Sequence, residues 1–312
     1  YQSAAARAFS FLHTIQQPDG SLPGQCGASA PLDKANRKLL ADKATPLTDT
    51  NFAAFPILGI YHNYVLHGDR DWLQAQLSFV DAARNFVLSH QSPHGDIAWR
   101  RKQKDEQLEQ VDALRTGNCS IYKSLLAGEK IDKVFGNVSP QDARAIEAIR
   151  AALLEKPFRF DRTWESKARF AMDWYYPVLT GVVTGPAAKT LIAQRYREFV
   201  EPDLGCRCVS DEPWTTTAET CELVLALLAI GEREKAQNLL QGLAPLRADD
   251  GGYWMGWQSV ENLYWPQERP SWTAAAVILA LDAVHQITPA HGLLVGQFAP
   301  LQSRCSTTSE PV

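Results

Sequence analysis

Residues 210–229 read Ser-Asp-Glu-Pro-Trp-Thr-Thr-Thr-Ala-Glu-Thr-Cys-Glu-Leu-Val-Leu-Ala-Leu-Leu-Ala. Pro213 halts what precedes it, and the threonines at 215–217 offer hydroxyl caps for a new helix. From Leu223 to Ile230 the run is apolar nearly all round, the pattern of a helix buried on every side. Asp211, Glu212, Trp214, Thr217 and Glu219 crowd its N-terminal end. A buried helix with a polar, aromatic mouth is a good place for chemistry. For any one of these residues the ordinary reading is structural, a capped core helix with charges in a surface loop. The case for function is that the arrangement recurs.

Working outward, two kinds of helix alternate. Residues 4–16, 72–90, 140–155, 187–199 and 233–243 carry an amphipathic stripe. Residues 50–66, 117–127, 168–183, 215–230 and 272–285 are apolar almost throughout and begin with polar or aromatic residues. Strand alternation is scarce. Repeated hairpins at a spacing of some tens of residues predict an all-α fold, with the apolar helices inside and the amphipathic ones outside. Closing the hairpins into a ring buries both ends of the stack, giving an (α/α)5–6 toroid. The expected domain is 1–299, with 300–312 a disordered tail. Residues 24–47 read as a long loop, a length that usually marks function or mobility, and they could also hide a further inner helix.

The net charge of −4 gives no electrostatic case for nucleic acid. The apolar runs are too short to cross a bilayer and no signal peptide opens the sequence. Six cysteines scattered in 312 residues suit reduced thiols, so a cytoplasmic protein is expected. Cys206 and Cys208 form a Cys-x-Cys pair without a second pair at zinc-site spacing, and the expectation is no metal and no cofactor.

Gln17-Pro18-Asp19-Gly20-Ser21, Gln91-Ser92-Pro93-His94-Gly95 and Asp250-Gly251-Gly252-Tyr253-Trp254 resemble the Gln…Gly…Trp repeats of squalene/hopene cyclases and protein prenyltransferase β subunits. Thr217-Ala218-Glu219, echoed by Thr273-Ala274, is similar to the Thr-Ala that follows the cyclase acid motif. The whole chain also looks like bacterial proteins loosely labelled "prenyltransferase". The resemblance covers most of the chain and implies an α/α toroid with a central cavity. The cyclase Asp-x-Asp-Asp occurs nowhere, and its place is taken by residues 214–217. The prenyltransferase zinc set is unmatched, because Asp203 and Cys206 have the wrong spacing.

If the inner helices run parallel, their N-terminal ends meet at one mouth. That gathers four candidate catalytic carboxylates, Asp49, Asp173, Asp211 and Glu219. Candidate substrate-binding groups at the same mouth are Asn51, Asn118, Trp174, Tyr175, Tyr176, Trp214, Trp254 and Trp272. A carboxyl in an apolar cavity has a raised pKa and can act as an acid. Aromatic faces can shield a carbocation or stack on sugar rings. Each has a bland counterpart: Asp49 as a cap, Asp173 as the partner of Arg169 at i−4, the aromatics as filler.

Three functions compete. The resemblance implies an acid-initiated enzyme acting on an isoprenoid, and this is preferred because several turns support it. The residue chemistry alone suits a carbohydrate-active enzyme, a glycoside hydrolase or lyase, in which paired carboxylates are required. The third is a non-catalytic toroid that binds a ligand.

Overall fold

The computed structural model describes residues 2–24, 49–102 and 105–298; the expected loop at 24–47 and tail at 300–312 fall almost wholly outside them. Among the described residues five inner helices alternate with five outer layers. The inner helices are α2 (Thr50–His67), α5 (Arg115–Val134), α7 (Ala171–Leu179), α9 (Thr217–Ala229) and α11 (Ser271–His285). Outside lie α1 (Gln2–Ile15), the pair α3 (Arg70–Ala75) and α4 (Leu77–Leu88), α6 (Pro140–Glu155), α8 (Gly185–Phe199) and α10 (Arg233–Gly242). Going round, α2 packs on α5, α5 on α7, α7 on α9 and α9 on α11. Helices α2, α5, α7 and α9 each also pack against the outer helix that follows them in the chain. The expected toroid is the observed fold.

The glycine turns explain how the outer layer is spaced. Gln17 N donates to Ser21 O, Ser92 N to Asp96 O and Ala248 N to Gly252 O, so all three turns have one backbone form. In the first two, a glutamine one residue earlier reaches the next outer helix: Gln16 Nε2 to Phe79 O at 3.0 Å, Gln91 Nε2 to Ala145 O at 2.8 Å. Gly20 and Gly95 have φ of +88° and +101°, and a Cβ there would lie 1.9 Å from Ala82 O and 2.3 Å from Ala148 O. Only glycine permits both that dihedral and that approach.

Three expectations need correction. Residues 214–216 do not cap through their hydroxyls: Thr216 is the N-cap residue of α9, but its side chain makes no cap hydrogen bond. The three residues form strand β1 (Trp214–Thr216) of a three-stranded antiparallel sheet with β2 (Gly256–Gln258) and β3 (Leu263–Tyr264), and Thr215 pairs with Trp257. A Trp-Thr-Thr run favours strand, and the partner strand was out of view in the sequence. Helix α5 continues to Val134 instead of stopping near 127. Gly128 leaves room for the Arg84 guanidinium, which bonds Asp132 at 2.9 Å and Asp142 at 3.1 Å. Helix α7 is shorter than expected and ends before Gly181, whose φ is +80°.

The C-terminal segment crosses the lower half of the ring. Gly296 N donates to Leu179 O, the ring of Phe298 meets Tyr61, and Lys123 Nζ donates to Gly296 O while lying 3.8 Å from the Phe298 ring centre. These contacts span α2, α5 and α7 away from their N-terminal ends.

Candidate active site

One side of the mouth is built where α2 and α5 start. Asn118 accepts Ile97 N–H at 2.7 Å and donates to Ile97 O and Leu114 O, both at 2.9 Å. With every polar atom used, it holds the 97–99 loop rather than a ligand. That loop receives α2: Thr50 N donates to Trp99 O at 3.0 Å, and Thr50 Oγ1 to Ala98 O at 2.8 Å. Asp49 caps α2, its Oδ1 accepting Asn51 N–H at 2.7 Å. Burial raises its carboxyl above the ordinary range, against the lowering effect of that one bond. Among the described residues it has no ion pair. Asn51 Oδ1 beside it is buried with no hydrogen-bond partner among the described residues.

The next inner helices supply more polar groups. Asp173, 6 % exposed, lies 3.4 Å from Arg115 Nη1, and its Oδ1 has no partner. Burial raises its carboxyl, and Arg115 offsets this only in part. The expected Arg169–Asp173 pair does not form, because Arg169 bonds Asp211 at 2.9 Å on the exposed surface. Thr273 on α11 is fully buried, and its hydroxyl also lacks a partner. Asn51, Asp173 and Thr273 thus each place an unsatisfied polar atom within the first three residues of an inner helix. Such atoms are costly to bury and mark where a polar ligand would be satisfied.

Glu219, half-buried in the first turn of α9, accepts the Thr216 hydroxyl. One turn deeper, Glu222 accepts Tyr175 Oη at 2.5 Å and Tyr176 Oη at 2.8 Å. Burial, helped by the neighbouring Glu219 charge, pushes Glu222 up to about 7.

Several candidates have other work. Asp211 is an exposed rim residue whose carboxyl is held low by its bond from Arg169, the reverse of what an acid needs. Trp174 stacks on Phe199 at 5.2 Å and donates Nε1–H to Leu191 O, so it faces the outer layer. Tyr175 is wholly buried in the same core. Trp254 has Tyr264 stacked on it at 4.8 Å and the Arg269 guanidinium 5.1 Å from its ring centre. Trp214 is tied to Trp265 through Nε1–H to the carbonyl. Trp272 is 60 % exposed. Tyr176 is half-buried between two core clusters.

Sequence reasoning missed Arg115, Glu222 and Thr273. A signal existed for Glu222: it falls three residues after Glu219 in an otherwise apolar run, on the same helix face. Arg115 carried none, because its partner is 58 residues away. Among the described residues no group of three or more His, Cys, Asp or Glu side chains is placed to hold a metal ion. None of the described helices is long and apolar enough to cross a membrane.

No family profile matches the chain. Among solved structures it is similar to a D-mannose isomerase (TM-score 0.64, 14 % identity, 92 % of this chain and 80 % of that one). It is also similar to an α-amylase from Clostridium perfringens (0.55, 13 %, 92 % and 83 %). A third is the endo-β-1,4-glucanase CMCax from Acetobacter xylinum (0.56, 11 %, 95 % and 97 %). These likenesses show the fold. In sequence, 296 residues are 39 % identical to the MMP endo-(1,4)-3-O-methyl-alpha-D-mannosidase of Mycolicibacterium hassiacum, over 95 % of this chain and 77 % of that protein. This overturns the expected isoprenoid substrate and the assignment to the terpenoid cyclases and prenyltransferases. The turns behind that resemblance set the spacing of neighbouring outer helices, a packing task that carries no information about the substrate. The chain belongs to the family of the Mycolicibacterium hassiacum MMP endo-(1,4)-3-O-methyl-alpha-D-mannosidase.

Proposed function

We propose that this chain is a glycoside hydrolase that cleaves internal α-(1,4) bonds of a 3-O-methyl-mannose polymer, with Asp49 as the general acid. The observation that carries the assignment is the Asp49 carboxyl: it is raised by burial, fixed by one backbone N–H, and makes no ion pair among the described residues, the guanidinium of Arg100 across the backbone bridge being bonded to Glu106 instead. An acid of this kind keeps its proton at a pH where an exposed aspartate has lost it. It gives that proton to the glycosidic oxygen as the C–O bond breaks, and a second carboxylate either takes a proton from the attacking water or attacks the sugar itself. Asp173 and Glu219, on two other inner helices, supply candidates for that second role. Asn51, Asp173 and Thr273 offer the unpartnered polar atoms that sugar hydroxyls would satisfy.

The test is digestion of α-(1,4)-linked 3-O-methyl-mannose oligosaccharides with the products resolved by mass. Internal cleavage to shorter oligosaccharides is expected. Asp49→Asn should remain folded and lose activity by about a hundredfold or more. Full activity in that variant would remove Asp49 from the role, and no cleavage by the unaltered protein would remove the reading itself.

A further inference from the structure

Next to Asp49 the structure builds a surface that the candidate acid does not need. Trp99 follows the two residues clamped by Asn118 and Thr50, and its neighbour Arg100 bridges Asp49. Its indole is half-buried, with its ring centre 5.4 Å from that of Trp164 at an interplanar angle of 55°. Trp164 arrives from a distant loop, and that loop is held at many points. Asp112 accepts Ala113 N, Arg162 N, Thr163 N and the Thr163 hydroxyl at 2.6–3.0 Å. Burial alone would raise the Asp112 carboxyl, yet these bonds hold it below its ordinary value. Asp112 also accepts Trp99 N–H at its carbonyl, so one residue fixes the backbone of Trp99 and of the two residues that precede Trp164. Asp161 adopts φ of +56° and accepts Trp164 Nε1–H at 3.1 Å and Lys167 N–H at 2.9 Å. A non-glycine residue in the left-handed region is unfavourable and persists where surrounding structure imposes it. The result of this bracing is an angled pair of half-exposed indoles at the rim beside Asp49.

We propose that Trp99 and Trp164 form a sugar-binding subsite adjoining the cleavage point, each taking the apolar face of one pyranose ring of an extended α-linked chain. Indoles suit this task. They bury a large flat area at little cost in side-chain entropy, and a hexopyranose presents axial C–H groups on one face and hydroxyls at its edge. The contrast with Trp254 favours the Trp99 side: Trp254 has Tyr264 stacked on it and Arg269 over its ring, while among the described residues Trp99 has the tilted Trp164 as its ring partner and no cation; Trp164 itself has Lys167 Nζ 5.3 Å from its ring centre. Asn51 Oδ1, two residues from Asp49, is placed at the same rim to meet a sugar hydroxyl. The proposal deepens the glycosidase reading and rests on it for the position of the cleaved bond, while binding is measured separately.

The experiment has two arms on the unaltered protein, Trp99→Ala, Trp164→Ala and Trp99→Phe, each checked for an unchanged melting curve. In the first, titration calorimetry follows a series of α-(1,4)-linked 3-O-methyl-mannose and mannose oligosaccharides of increasing length, at a pH and temperature where turnover is negligible. Either alanine variant should weaken binding of the longer members about tenfold or more, with Trp99→Phe recovering part of it. In the second, steady-state hydrolysis should show the loss in KM rather than kcat, because the ring contact is made in both ground and transition states. Oligosaccharide binding that is unaltered in both alanine variants overturns the subsite and leaves the glycosidase reading standing. Binding without cleavage by the unaltered protein overturns the glycosidase reading and leaves the subsite. If none of the oligosaccharides binds the unaltered protein, the subsite is overturned as well.

Discussion

Glu222→Gln offers a quantitative test of how the mouth is held together. Glu222 is half-buried, shares its surroundings with Glu219, and receives two tyrosine hydroxyls. Its pKa rises from 4.5 to about 7 on folding. At about 1.4 kcal/mol per tenfold change in proton affinity, the difference amounts to about 3 kcal/mol. Between these two values the folded protein binds the proton more tightly than the unfolded chain. The stabilisation is therefore complete below about pH 4.5 and is lost as the pH rises through about 7. Glutamine keeps the shape and the two tyrosine contacts, because a hydroxyl can turn to accept from the amide, and it never ionises. The variant should match the parent protein near pH 5 and exceed it by up to about 3 kcal/mol at pH 8, a rise in Tm of about 5 °C. Urea unfolding at both pH values, monitored by circular dichroism, reads the difference. Parallel pH dependence in the two proteins would show that Glu222 is ionised at no cost, and the reasoning about burial would fail.

Other outcomes follow from single contacts. Gly95→Ala forces a Cβ to within 2.3 Å of Ala148 O at a φ of +101° and should cost about 3 kcal/mol or more, seen as a large fall in Tm; a shift under a degree would mean that the turn is not seated on α6. Lys123, whose burial lowers it to about 7, makes the protein gain stability as pH rises from about 7 towards 10, since the unfolded chain binds the extra proton there. Lys123→Met should flatten that gain in unfolding titrations, and an unchanged slope would count against it. Asp211→Asn removes an exposed ion pair with Arg169, which solvent screens, and should leave the melting curve and hydrolysis rates unaltered; a large loss of activity would return Asp211 to the mechanism.

The sequence by itself determined the toroid. Its cues are local: apolar helices alternate with amphipathic ones, and the Gln…Gly turns hold the spacing between outer helices. Periodicity and turn chemistry act over a few residues, so they survive in the linear order. The same turns gave the wrong substrate, because a packing device says nothing about what the ring encloses. Asp49 was visible as a cap and candidate acid. That it makes no ion pair among the described residues, while Asp173 has Arg115 and Asp211 has Arg169, was decided only by tertiary structure. Trp174 and Trp254 stood among the candidate binding residues in the sequence and Trp99 did not, and only packing shows the rings of the first two engaged by Phe199 in one case and by Tyr264 and Arg269 in the other. A side chain's proton affinity and its free faces depend on burial and on groups far away in the chain. Burial and distance exist only once the helices have closed round a common axis.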